Sequence, residues 1–183
     1  MGAMKQFRAS FAKLIDKPCW GVKPGWGSFL TIEFGKPHLV VREPRDSTSK
    51  SKRVRAAFAR RAVRIRGEWH LWLYCCYWAV LDQTGRVMGD ATSKRSIVRA
   101  AGFLDGQALV DAAFVERGVR TTLKFDLGAT LITRPYDRSS EQWLLYEPNG
   151  KVFSLRADKR YAYGRGDSSP EKVRWLAFPH DDA

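Results

Sequence analysis

The chain has 183 residues, a formal net charge of +13, and 44% hydrophobic and 13% aromatic residues. That composition can fill the core of one domain spanning 1–183, and it excludes a disordered chain, which lacks such apolar mass. No stretch approaches the ~18 apolar residues of a membrane helix, so no helical span is expected; the charge leaves nucleic acid, anionic lipid or an acidic protein as partners to weigh.

Near the N-terminus, Phe7, Phe11, Leu14 and Ile15 recur at helical spacing with Lys5, Arg8 and Lys13 between them. This predicts an N-terminal helix packed on the domain, although basic amphipathic helices also lie on anionic lipid. Residues 18–29, PCWGVKPGWGSF, read as a structured loop whose tryptophans want burial. Residues 28–34 alternate, with Leu30, Ile32 and Phe34 on one face and Phe29, Thr31 and Glu33 on the other, which predicts a strand. The turn GKP leads into a partner strand, HLVVR. Residues 43–60 are rich in Pro, Ser, Thr and Lys at first and read as a mobile basic loop. Its cations Lys50, Lys52, Arg53 and Arg55 run on into Arg60, Arg61, Arg64 and Arg66 with no acid among them.

From Val63 a two-residue alternation holds for many positions. Trp69, Leu71, Leu73, Cys75 and Tyr77 share an odd face that reads as core, while Arg64, Arg66, His70, Trp72, Tyr74, Cys76 and Trp78 share the even face. A straight strand over 62–79 would run about 60 Å at ~3.3 Å per residue. A domain of this length is only about 40 Å across. The strand must bend, and Gly67 is the natural place for a kink.

DQTGR, residues 82–86, predicts a hairpin turn. Ile97, Ala100, Ala101 and Leu104 form the stripe of a mid-chain helix, capped by Thr92 or Ser93 and ended by Gly106. Strands follow at 108–125, 129–136, 141–146, 151–156 and 173–178, with Asn149-Gly150 a strong hairpin signal. The predicted fold is a strand-rich α+β single domain. Its sheet is a long, strongly bent antiparallel meander, with one mid-chain helix and an N-terminal helix.

Metal and catalytic patterns are weak. His70 and Cys76 share a face but lie about 20 Å apart along a strand, and zinc ligands must sit about 2.3 Å from one ion. His38, His70 and His180 are scattered, and Cys19, Cys75 and Cys76 give no disulfide framework. With no secretion-signal core at the N-terminus, the expected setting is a reducing cytoplasm. A nucleophilic Cys76 lacks a recognisable partner, and Glu68, Asp90 and Glu141 form no evident pair. No metal, cofactor or catalytic residue is expected. The even face is more informative: Arg64, Arg66, His70, Trp72, Tyr74 and Trp78 order cations before flat rings, as single-strand nucleic-acid binders do. Those rings would equally suit packing beneath a second layer.

Within residues 123–155, Phe125, Asp126, Gly128, Glu141, Trp143, Pro148 and Gly150 form an F-D-x-G hairpin, an acid-x-Trp motif and a P-x-G turn. This segment resembles small bacterial immunity-type proteins of toxin systems, and the chain as a whole resembles an uncharacterised bacterial family, which implies no activity. The resemblance implies a non-enzymatic protein that binds and blocks a partner protein. Inhibitors of nucleases tend to be acidic, so a basic chain implies an acidic target or a toxin of other chemistry. Three expectations follow: a non-enzymatic cytoplasmic partner-binding protein, of immunity type if the resemblance holds; a nucleic-acid-binding module using the basic loop and the aromatic face; and, behind these, an enzyme whose catalytic residues form no recognisable pattern.

Overall fold

The structure, a computed structural model, describes residues 2–115 and 120–178. The N-terminal helix forms as α1 (Ala3–Ala12) and buries Phe7 and Phe11, with Leu14 just beyond it. Strand β1 (Cys19–Pro24) pairs antiparallel with β2 (Leu30–Phe34). Next come β3 (His38–Arg42), α2 (Lys52–Phe58) and β4 (Ala62–Arg66), then β5 (Trp69–Leu73) and β6 (Cys76–Leu81). After β7 (Val87–Asp90), the mid-chain helix α3 (Lys94–Leu104) buries Ile97, Ala100, Ala101 and Leu104, and the Ser93 hydroxyl accepts from the Ser96 N–H as its cap. The remaining strands are β8 (Leu109–Val115), β9 (Arg120–Phe125), β10 (Thr130–Pro135), β11 (Glu141–Tyr146), β12 (Lys151–Arg156), β13 (Arg160–Arg165) and the short β14 (Leu176–Ala177).

All pairings among the described residues are antiparallel. One sheet runs β1-β2-β5-β11-β12-β13-β14, a second runs β7-β6-β10-β9-β8, and β3 pairs only with β4. The chain of β5 continues directly into β6, so one long segment serves both large sheets. At the crossing, the Tyr74 N–H still donates to the Gln142 carbonyl and the Cys75 N–H to the Glu141 carbonyl. The strand-rich α+β reading therefore holds, and the bend is sharp enough to fold the strands into two layers without closing a barrel.

The inner faces of both layers share one core. Leu30, Ile32, Phe34, Leu71, Leu73, Trp143, Leu145 and Phe153 meet Trp78, Val80, Leu123, Phe125 and Leu131 in it. The Trp143 indole N–H donates to the Thr121 hydroxyl at 3.0 Å, tying one layer to the other. Helix α3 packs on β7 and β1, an edge strand of each layer. Phe7 and Phe11 of α1, with Phe114 and Phe178, fill the aromatic gap around Trp143 and Phe153. Each such large side chain, removed from water, contributes about 1.5–3 kcal/mol.

Several expectations need correction. The bend at Gly67 is real: a Cβ there would lie 2.4 Å from the Phe34 carbonyl oxygen, so backbone passes where a side chain would be. A second break, at Tyr74 and Cys75, shifts the alternation by one. Cys76 and Trp78 therefore point into the core at 3% exposure each, while Tyr77, expected inside, is 47% exposed. Residues 52–58 of the expected mobile loop form α2, capped by the Ser51 hydroxyl. PCWGVKPGWGSF contains strand β1, and its Trp26 is 83% exposed where burial was expected. Residues 160–165 form a strand not predicted, because Gly164 and the arginines at the strand's two ends, Arg160 and Arg165, dilute the alternation. Residues 116–119, which fall within the expected strand 108–125, and His180 lie outside the described residues.

Candidate functional site

Strands β3 and β4 leave the body together and form a two-stranded arm, with α2 at its far end. Arg42 donates to the Ala57 carbonyl at 2.7 Å, and the Arg42 and Arg45 guanidiniums lie 4.6 and 4.7 Å from the Phe58 ring, which holds α2 against the strands. Residues 38–66 hold ten lysines and arginines against two acids, a net +8 of the chain's +13. Register divides the arm into two faces. Leu39 pairs with Ile65 and Val41 with Val63, and all four are at least 50% exposed. His38, Val40, Arg64 and Arg66 take the other face and line a cavity of about 1160 Å³.

The cavity floor is the outer face of the larger sheet. Pairing sets one row of Glu33, His70, Tyr146 and Val152 across β2, β5, β11 and β12, and a second of Thr31, Trp72, Leu144 and Ser154. Trp72 lies in an aromatic cluster with Phe29 and Tyr74, at centroid distances of 5.8 and 4.8 Å. Trp26 stands at the mouth on a tight turn closed by the Gly25 N–H, which donates to the Phe29 carbonyl at 2.7 Å. Tyr146 also borders a second recess of about 600 Å³ over β11–β13, where Lys172, Arg174 and Trp175 face Glu141 and Arg156. The two recesses share Tyr146 in their linings. Burial pushes the Glu141 carboxyl up, against the pull of Arg156.

A buried polar cluster sits where arm and floor meet. Glu33 lies behind His70; its Oε1 is 2.9 Å from His70 Nδ1 and 3.1 Å from an Arg66 guanidinium nitrogen, and its Oε2 accepts from the Gly67 N–H at 3.0 Å. The same Arg66 nitrogen lies 2.6 Å from each ring nitrogen of His70. In the neutral ring, an Nδ1–H donated to Glu33 leaves Nε2 as the acceptor. Burial works to raise the Glu33 carboxyl, but the His70 hydrogen bond and charge, the Gly67 N–H and Arg66 outweigh it and hold the group below its ordinary 4.5.

The other acids at the cavity are committed. Glu68 accepts from the Lys36 N–H at 3.0 Å. Glu147, its side chain fully buried, accepts from Ser10, from Tyr163 at 3.1 Å and from Asn149 at 3.2 Å, with Lys13 at 3.5 Å. Arg64 and the Lys36 ammonium have no carboxylate partner among the described residues.

Of the residues expected to bind, the structure gathers Arg64, Arg66, His70 and Trp72 in the cavity and places Tyr74 against Trp72. It removes Trp78, whose indole N–H donates to the Ser28 carbonyl inside the fold. It also leaves Lys50, Lys52, Arg53 and Arg55 on the segment around α2, away from the cavity lining, with Arg55 folded back onto the Ser49 and Lys50 carbonyls. The pairing of distant strands adds His38, Glu33 and Tyr146 to the gathered residues, and the turn between β2 and β3 adds Lys36. Burial, chiefly, pushes the Cys19 and Cys76 thiols up to about 12, so neither supplies a thiolate nucleophile. Among the described residues, no group of three His, Cys, Asp or Glu side chains could hold a metal ion, and no helix is long and apolar enough to cross a membrane. No protein family, curated protein or solved structure matches the chain.

Proposed function

We propose that the chain binds single-stranded nucleic acid in the cavity beneath the β3–β4 arm. The observation that carries this reading is the opposition of two walls. Cations Lys36, Arg64 and Arg66 face the phosphates, and exposed or half-buried rings of Trp26, Phe29, Trp72 and Tyr146 offer stacking planes. A basic groove lined with aromatic platforms is how strands are held without base pairing, and the arm's charge concentrates polyanion at the mouth. Fluorescence anisotropy with a single-stranded oligonucleotide across a salt series tests it. Log affinity should fall linearly with log salt, at about 0.7 per phosphate engaged. Replacing Arg64 and Arg66 with alanine should flatten the slope by about 1–1.5. Trp26→Ala should instead weaken binding by about 1–3 kcal/mol at unchanged slope. No binding at low salt, or a slope indifferent to the arginines, would sink the idea.

A second reading, a protein partner, is favoured by the opposite face of the arm. Leu39, Val41, Val63 and Ile65 form an apolar patch on a segment rich in cations, which suits a partner with an apolar patch rimmed by carboxylates. The likeness of residues 123–155 to immunity-type proteins adds to it. A Leu39→Ser, Ile65→Ser variant should then lose a partner that the unmodified chain retains from nuclease-treated host lysate, with oligonucleotide affinity unchanged. Equal retention by both proteins rules this face out.

A further inference from the structure

Two of the three histidines, His38 and His70, line the same cavity, and both flank Arg66. His38 is the cross-strand partner of Arg66 in the arm, and the Arg66 guanidinium rests on His70. Behind His70, Glu33 fixes the ring through Nδ1, so Nε2 is the nitrogen left to accept a proton. Glu33 and His70 come from the floor, whereas His38 and Arg66 come from the arm. A phosphate drawn to Arg66 would lie between an imidazole on each wall. Such an arrangement does more than grip a strand: it holds one base, one acid and one cation around a single phosphodiester.

We propose that the cavity cleaves RNA by acid–base transesterification. The proposal rests on the nucleic-acid reading of this site and replaces the expectation of a non-enzymatic module. The RNA 2′-hydroxyl gives its proton to His70 Nε2, and the 2′-oxygen forms a bond to phosphorus. The bond from phosphorus to the 5′-oxygen of the next nucleotide breaks, and that oxygen takes a proton from His38. The products are a 2′,3′-cyclic phosphate and a 5′-hydroxyl, with no co-reactant consumed. In a slower second step His38 takes a proton from water, the water oxygen bonds to phosphorus, the bond from phosphorus to the 2′-oxygen breaks, and His70 returns its proton to that oxygen, which leaves a 3′-phosphate and a free 2′-hydroxyl. Arg66 leaves the His70 ring for a phosphate oxygen and stabilises the charge that grows on it. Glu33 does not touch the substrate; it is a positioning residue that keeps the His70 tautomer.

The test uses the full chain in EDTA with two end-labelled strands of one sequence, single-stranded RNA and its 2′-O-methyl analogue. The expected result is fragments of the RNA ending in 2′,3′-cyclic phosphate, and binding without cleavage of the analogue. His70→Ala and His38→Ala should each slow cleavage by about 100-fold or more. His38 is exposed on the arm, so its variant stays folded even if the His70 variant does not. Glu33→Gln should lower kcat at least about tenfold with KM nearly unchanged, and Glu33→Asp should recover part of the loss. Cleavage that survives His38→Ala unchanged, or no cleavage of an RNA the chain binds, overturns the catalytic proposal and leaves the binding reading standing. Failure to bind either strand at low salt overturns both.

Discussion

At the scale of single residues, Glu33 has the most to lose. It is a carboxylate 4% exposed, held charged by His70, Arg66 and a backbone N–H. Glu33→Gln removes a charged acceptor from three donors and should cost about 2–3 kcal/mol in urea unfolding at neutral pH. The sign of its pH dependence follows from the depressed carboxyl. A group lower in the folded than in the unfolded state stabilises fully above the unfolded value, here 4.5, and that stabilisation is lost as pH falls through the folded value. The gap between the two proteins should therefore narrow in acid, and a constant gap would mean that the ionised carboxylate is not the source. His70 and Trp72 could be placed on one face from alternation alone. Their neighbours Glu33 and Tyr146 could not, because the register Glu33–His70–Tyr146 joins three strands separated by dozens of residues. Trp78 was misplaced for a local reason, since two residues at a corner change the parity of everything beyond them.

At the scale of elements, the arm differs in kind from the body. Two strands with one apolar face in water are marginal by themselves, and α2 buries no residue. Trypsin should therefore cut first within residues 50–61, where lysines and arginines are dense and exposed, and leave the body resistant; mass spectrometry of the early fragments checks it. First cleavage at Lys124 or Arg134, in central strands, would contradict this division. The helix stripes were legible because Ile97, Ala100, Ala101 and Leu104, or Phe7 and Phe11, repeat at helical spacing within one short window. The arm was legible as strands and as charge, but not as a projecting unit. Leu39, Val41, Val63 and Ile65 have the composition of core, and nothing local records that no second layer covers them.

At the scale of the molecule, charge and core are separated. The body carries the packed aromatic centre, while a 29-residue segment holds +8 of the +13. Replacing residues 39–65 by a short Gly-Ser turn joins His38 to Arg66, which already face each other across the ribbon. That protein should keep the near-ultraviolet signal of its packed tryptophans and elute from heparin at markedly lower salt. Loss of the near-ultraviolet signal would show that the arm is needed to fold the body.

The corner at Tyr74 and Cys75 has a consequence for ancestry and engineering. A chain segment that belongs to both layers leaves no seam between them, so neither layer can be inherited, swapped or expressed as a half. The pair His38 and Arg66 is a doorway for variation, through which segments of other lengths and charges could be grafted while the two layers stay as they are.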